Sequence, residues 1–200
     1  MDETFYRKYK RVLEVLPDVA ECVQGKLILV GGTALALFHL RHRISIDLDF
    51  VPAEGDEVEM KRMLKGCLSR KGYRTAAAAY SNQFVIQFED TSIKVEVFSP
   101  ERKVRMFEER NVGRAKIKVA SLEGLLQLKM DSYASRGEAR DLFDIWSITK
   151  GRGKQTSTVR KIIRKSGAPR NMGELGGIVV DGDEYELFRK DVETASGAGS

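Results

Sequence analysis

Apolar residues recur at spacings of three and four at Phe5, Tyr9, Val12, Leu13 and Leu16, which predicts a lead-in helix over residues 5 to 17 that Pro17 stops. The apolar run Lys26 to Val30, broken at Gly31-Gly32, predicts a buried strand and a glycine turn. Thr33 is then placed to cap a short apolar helix, Ala34 to Leu40. Polar and apolar residues alternate from Ser45 to Val51, as in a strand, and Glu57 to Arg70 has the period of an amphipathic helix. Phe84 to Glu89 and Ile93 to Phe98 predict a hairpin across Asp90-Thr91-Ser92. A strand near Ala115 to Val119 and two helices, Ser121 to Tyr133 and Glu138 to Thr149, follow. Beyond them Gly151-Arg152-Gly153 reads as a linker, Val159 to Lys165 as a basic helix, and Ser196 to Ser200 as a disordered end. No internal repeat is present. The order of elements predicts an α/β fold: a mixed, largely antiparallel sheet flanked by helices over residues 1–150, with a small helical, basic C-terminal extension over 151–200.

Composition narrows the class. A chain of 200 residues, 42% hydrophobic and 32% charged, suits one folded unit rather than a disordered or fibrous protein. The longest run without a charge or strong polar residue, Leu27 to Phe38, is too short to cross a bilayer as a helix. The N-terminus alternates acids and bases without the apolar segment of a secretory signal, so the expected location is the cytoplasm. Cys22 and Cys67 lie far apart and read as reduced and structural; with only His39 and His42 as histidines, no zinc site is expected. The net charge of +5 is local in origin. Eight bases and no acid fall between Asp144 and Glu174, and the rest of the chain carries three more acids than bases. Such a block either contacts phosphates or is simply a solvated face.

The segment Ile46-Asp47-Leu48-Asp49-Phe50 carries the sharpest chemical signal. Residues i and i+2 of a strand share a face, so Asp47 and Asp49 project together while Ile46, Leu48 and Phe50 face the core. Paired carboxylates repel unless a cation lies between them, and hard oxygen donors favour Mg²⁺ or Mn²⁺. An isolated pair of this kind is more often two solvated acids on an edge strand; a third acid changes that balance. In Ile93-Lys94-Val95-Glu96-Val97 the alternation places Glu96 on the polar face, beside the Asp pair if the strands are neighbours. Three such acids suit two metal ions about 3.5 to 4 Å apart and phosphoryl transfer. Gly31 and Gly32 allow backbone N–H groups to approach a phosphate, with the Thr33 hydroxyl beside them. Lys129, on an otherwise apolar helix, is suited to contact a triphosphate.

Taken together, Gly31-Gly32-Thr33-Ala34-Leu35-Ala36, His42-Arg43, Ser45 and Asp47-Leu48-Asp49-Phe50 resemble the AbiEii-type signature of the DNA polymerase beta-like nucleotidyltransferases. Leu128-Lys129, Arg136 and Arg140-Asp141-Leu142-Phe143-Asp144 resemble the lysine and RDxxD helices of the same family, so that the likeness spans about residues 25 to 148. The resemblance implies a nucleotidyltransferase fold and transfer of a nucleoside monophosphate from an NTP to a hydroxyl, with release of pyrophosphate. It implies Asp47, Asp49 and Glu96 as ligands of Mg²⁺ or Mn²⁺ and Lys129 on the phosphates. Asp144 is implied to orient Lys129 or the nucleotide, and Asp141 to belong to the same acidic helix. Arg43 and Ser45 are implied in phosphate or base contacts; Arg140 binds phosphate or pairs with the helix acids. A toxin-like enzyme acting on RNA, at the tRNA acceptor end, with a cognate antitoxin as partner, is the implied setting. The rival readings are a nucleotidyltransferase for a small molecule or protein hydroxyl, and a non-catalytic nucleotide- or RNA-binding regulator. Two departures bear on substrate choice: the third acid is Glu, where the superfamily often has Asp, and the region after Thr149 is short.

Overall fold

The computed structural model describes residues 3–101 and 103–197. The chain opens with α1 (Glu3–Val23), which runs through Pro17 instead of stopping there. A mid-helix proline costs about 3 kcal/mol. Val19, Ala20, Cys22 and Val23, all buried beyond it, recover that cost, since burying one aliphatic side chain contributes about 1.5 to 3 kcal/mol. There follow β1 (Leu27–Val30), α2 (Gly31–Phe38), β2 (Leu48–Pro52), α3 (Glu57–Arg70), β3 (Arg74–Ala77), β4 (Gln83–Gln87), β5 (Ser92–Val97), β6 (Phe107–Val112) and β7 (Ala115–Ala120). The helices α4 (Leu122–Arg136), α5 (Ala139–Lys150), α6 (Gln155–Ser166), α7 (Met172–Gly176) and α8 (Gly182–Ser196) complete the fold.

The seven strands form one sheet in the order β3-β4-β5-β2-β1-β7-β6. Only β1/β7 and β2/β5 pair in parallel among its neighbours; the other pairs are antiparallel, as the sequence predicts. Two strands escape sequence reading. β3 is an Arg-Thr-Ala-Ala run with no buried face, and β6 is an edge strand exposed along nearly its whole length, so neither alternates. The core over the sheet is built from Leu27, Leu29, Leu48, Phe50, Val95 and Val97 with residues of α1 and α3.

Cys22 and Cys67 form a disulfide, correcting the expectation of reduced thiols. The helices α1 and α3 lie side by side and bring the two Cα atoms to 5.6 Å, a proximity that a separation of 45 residues conceals.

A second core gathers α5, α6 and α8 around Phe143, Trp146 and Phe188, whose rings stack or meet edge to face at 5.2 to 6.0 Å. The Trp146 indole N–H donates to Asp191 at 2.8 Å. The backbone of residues 42–44 pairs with 178–180: Ile44 N donates to Ile178 O at 2.8 Å and Val180 N to His42 O at 3.0 Å. Of the disordered end expected at 196–200, Ser196 closes α8 and Gly197 caps it in the left-handed conformation; residues 198–200 lie outside the described residues. No described helix is long and apolar enough to cross a membrane.

Candidate active site

At the end of β1 the backbone turns at Gly31, whose φ of +71° lies in the left-handed region, and α2 begins at once. A β-carbon at Gly31 would collide with the Asp49 carboxylate, and one at Gly32 with the Arg43 guanidinium and Ser45 Oγ. Glycine is therefore required on two counts at Gly31 and by close approach at Gly32. Thr33 does not cap the helix. Val30 occupies the capping position without a side-chain bond, while the buried Thr33 hydroxyl donates to the Asp47 carbonyl at 2.5 Å and lies 3.0 Å from Ser45 Oγ. The N–H groups at the start of α2 thus stay uncapped by any side chain beside the cavity that Gly31 and Gly32 line. The same Thr33 bond explains why β2 starts at Leu48 and not at Ser45: the Asp47 carbonyl is held by a side chain instead of a neighbouring strand.

Parallel pairing of β2 with β5 sets Asp49 directly opposite Glu96, and antiparallel pairing of β1 with β2 sets Val30 opposite Asp49. Asp47, Asp49 and Glu96 therefore line one cavity of about 250 Å³. Burial first, then the neighbouring Asp47 charge, pushes the Asp49 carboxyl up to about 6, against the lowering pull of Lys94 and Lys129. Asp47 is paired with Lys94 at 3.1 Å. Both Glu96 oxygens accept amide hydrogen bonds, from Asn82 Nδ2 and Gln83 Nε2, each at 2.9 Å. Among the described residues no three acidic, histidine or cysteine side chains converge as a ready-made metal cage.

Helices α4 and α5 and the loop at 42–43 supply the basic lining. Lys129 is 5% exposed, and its ammonium lies 2.9 Å from Asp141 Oδ1 and 2.7 Å from Asp144 Oδ2, both fully buried. Arg43 forks onto Asp144 through Nε at 2.6 Å and Nη2 at 2.7 Å, and His42 Nε2 lies 2.7 Å from the same carboxylate. Arg136 completes the cluster on Asp141 through Nε at 2.6 Å and Nη2 at 2.9 Å. Burial alone would raise both acids, yet Arg43 and Lys129 hold Asp144 well below the carboxylate range, and Lys129 with Arg136 holds Asp141 below it. Burial drives the His42 imidazole down in spite of Asp144, which leaves it neutral. Two carboxylates thus face three basic side chains, Arg43, Lys129 and Arg136, and all three line the cavity.

Of the residues singled out from sequence, Gly31, Gly32, Arg43, Ser45, Asp47, Asp49, Glu96, Lys129 and Arg140 line this cavity. Thr33, Asp141 and Asp144 stand behind its wall, fully buried and hydrogen-bonded to residues that line it. Arg43 spends its fork on Asp144 and an Nη1 bond on the Ile44 carbonyl, so its role toward a ligand is chiefly its charge. Asn82 and Gln83 did not stand out in the sequence, and Lys94 and Arg136 were quoted there only within motifs, with no role of their own. Lys94 was legible, two residues before Glu96 on the same strand face; the two amides follow only from the Gln83–Glu96 register of β4 and β5. A second cavity of about 320 Å³ shares Arg43, Ser45, Asp47 and Arg140 with the first and extends to Ile46, Asn171 and Ile178.

Residues 19–196 match the family model described as the nucleotidyl transferase AbiEii toxin, of the type IV toxin-antitoxin system. The chain belongs to this AbiEii nucleotidyltransferase family. No curated protein matches it. Among solved structures it is similar to JHP933 from Helicobacter pylori, at 17% identity over 99% of this chain and 97% of that one, with a TM-score of 0.56. It is also similar to an antigenic nucleotidyltransferase-like protein from Paracoccidioides brasiliensis, at 17% identity over 80% of this chain and 88% of that one, with a TM-score of 0.54. At such identities these likenesses establish the nucleotidyltransferase fold, while the family match makes the AbiEii-type chain a nucleotidyltransferase.

Proposed function

We propose that this AbiEii-type enzyme transfers a nucleoside monophosphate from an NTP to a hydroxyl of RNA, at the tRNA acceptor end, in a reaction that depends on Mg²⁺ or Mn²⁺. The observation that carries the proposal is one cavity lined by three carboxylates from the sheet and cations from α4, α5 and the 42–43 loop, with the start of α2 beside them. The donor set fits a hard divalent ion: Asp47, Asp49 and Glu96 offer only oxygen, and the raised Asp49 carboxyl marks a place where a cation is favoured. Bound there, Mg²⁺ or Mn²⁺ supplies charge neutralisation for the triphosphate and the leaving pyrophosphate.

The chain's own residues do the rest. The N–H groups of Gly31 and Gly32 and the Lys129 ammonium hold phosphate oxygens, with Ser45 and Arg140 at the margin of the same cavity. Asp141 and Asp144 fix Lys129 by two short contacts, so its charge is in place before substrate arrives. The acceptor hydroxyl approaches through the adjoining cavity, whose wall includes Asp47. Its oxygen bonds to the α-phosphorus, the bond to the β-phosphate oxygen breaks, pyrophosphate leaves, and the hydroxyl proton passes to Glu96, which Asn82 and Gln83 hold in orientation.

RNA is favoured as acceptor by α6 and its flanks. Lys154, Arg160, Lys161, Arg164, Lys165 and Arg170 are all exposed, and no described acid pairs with them. A cognate antitoxin is the partner this reading expects. The test incubates the protein with each α-³²P-labelled NTP, Mg²⁺ or Mn²⁺ and total tRNA, beside an Asp47→Ala, Asp49→Ala double variant. Label on RNA from the wild type alone supports the proposal and names the nucleotide. Metal-dependent NTP binding with no label on RNA, protein or small acceptors overturns it in favour of a non-catalytic binding role.

A further inference from the structure

Two of the three carboxylates already have a partner within the protein, and those partners differ in kind. Glu96 is held by two neutral amides, and Asp49 lies against the Gly31 turn. Asp47 is held by a full positive charge, the Lys94 ammonium at 3.1 Å. Of the other cations that line the cavity, Arg140 carries no acidic partner among the described residues, and three are committed elsewhere. Lys129 is wedged between two buried acids, Arg43 is forked onto Asp144, and Arg136 onto Asp141. Lys94 is different: it has a single acidic partner, its side chain is 38% exposed, and it lines the cavity from the same face of β5 as Glu96.

We propose that Lys94 is an internal counter-ion that occupies Asp47 until a triphosphate draws its ammonium away, so that the divalent metal enters with the nucleotide rather than ahead of it. This rests on the metal-dependent reading above. An ammonium and a divalent cation on one carboxylate repel each other, so metal entry requires Lys94 to leave. A part-exposed ion pair is worth up to about 1 kcal/mol, weak enough to exchange. The triphosphate is the partner that compensates its departure, because its negative oxygens occupy the cavity that Lys94 already lines. Without nucleotide, free metal meets an Asp47 already paired with Lys94 and a Glu96 already held by two amides, in keeping with the absence of a converged ligand cage among the described residues. The enzyme thereby avoids binding metal in the wrong place before substrate is present.

The test measures Mn²⁺ binding to the full chain by the EPR signal of free Mn²⁺, with no turnover, in wild type, Lys94→Met, Lys94→Gln and Lys94→Arg. Each is titrated alone and with the four α,β-methylene nucleoside triphosphates, whose α–β link cannot be cleaved. Without nucleotide the two neutral variants are expected to bind Mn²⁺ about fivefold more tightly than wild type, with the Arg variant unchanged. With the bound analogue the difference is expected to close. Equal Mn²⁺ affinity of wild type and neutral variants, or a difference that nucleotide leaves intact, overturns the role of Lys94 alone. Absence of Mn²⁺ binding in every protein, even with each analogue, overturns the metal-dependent reading and this inference with it.

Discussion

Replacing Asp49 with Asn is expected to abolish transfer and yet make the metal-free protein more stable. The Asp49 carboxyl is pushed up to about 6 by burial and by Asp47, whereas in the unfolded chain it returns to its ordinary value of 3.8. A raised acid binds more protons in the folded state than in the unfolded state between those two values. Its contribution is therefore neutral in acid, turns unfavourable as pH rises through that window, and is fully unfavourable above about pH 7. At 1.36 kcal/mol per pKa unit the ceiling is about 3 kcal/mol, and water at this half-buried group brings the expected penalty to about 1 to 2 kcal/mol. Asn keeps the shape and removes the charge. In a chain of this length 1 kcal/mol moves the melting temperature by about 2 to 4 °C.

The assay is thermal melting of wild type and Asp49→Asn in EDTA at pH 8 and at pH 4. The variant is expected to melt several degrees higher at pH 8 and to lose that advantage at pH 4. Added Mg²⁺ with NTP should then stabilise the wild type and not the variant. A variant less stable than wild type at pH 8, or a difference indifferent to pH, would refute the placement of Asp49 in a site that waits for a cation.

Four further outcomes follow from the same geometry. Asp144→Asn leaves Arg43 and Lys129 buried without their shared carboxylate and should cost about 3 to 5 kcal/mol by urea unfolding. Because Asp141 and Asp144 are held below 3.8 and His42 below 6.5, the stability they lend is complete above those unfolded values and lost as pH falls, so the urea midpoint should drop steeply in acid. Cys67→Ser, or reduction, opens a loop of 45 residues and should cost about 2 to 4 kcal/mol, read as a lowered urea midpoint. Reversing Arg160, Lys161, Arg164 and Lys165 to Glu should weaken RNA binding and flatten its dependence on salt while leaving NTP binding intact, as filter binding over a salt series would report.

How far the sequence alone reaches depends on whether a feature is set locally or by a distant partner. The acidic face was legible because strand alternation fixes which side Asp47, Asp49 and Glu96 take, and the pairing of β2 with β5 then sets Asp49 opposite Glu96. Helix α3 was legible to its ends because Asp56 caps it through Glu59 N and its apolar period is clean. Lys129 and the two aspartates of α5 were readable as a group only through family likeness, since a lysine on one helix and RDxxD on the next say nothing about each other by spacing. Pro17 misled because a strong local signal was outweighed by burial that only the folded α1 reveals. The disulfide and the Thr33 bond to Asp47 were out of reach for the same reason, as each joins segments whose proximity is a product of the fold.

The cluster around Asp144 and Asp141 shows why such a site is built from buried charge. Replacing buried ion pairs by well-packed apolar residues is often neutral or stabilising, so stability alone gives no reason to bury Lys129, Arg43 and two carboxylates together. What an apolar core cannot provide is a positive charge fixed at the cavity wall. Lys129 held at 2.7 and 2.9 Å by two acids keeps its position, and the third cation of the group leaves a net positive charge facing the cavity even after both acids are counted. The same carboxylates anchor the 42–43 loop from the sheet side and α4 and α5 from the helical side, so the wall is rigid where negative charge develops in phosphoryl transfer. On the sheet side Asp47 and Glu96 are engaged by a part-exposed ammonium and two neutral amides, partners that can let go, so the function proposed above needs one half of the site fixed while the other half exchanges.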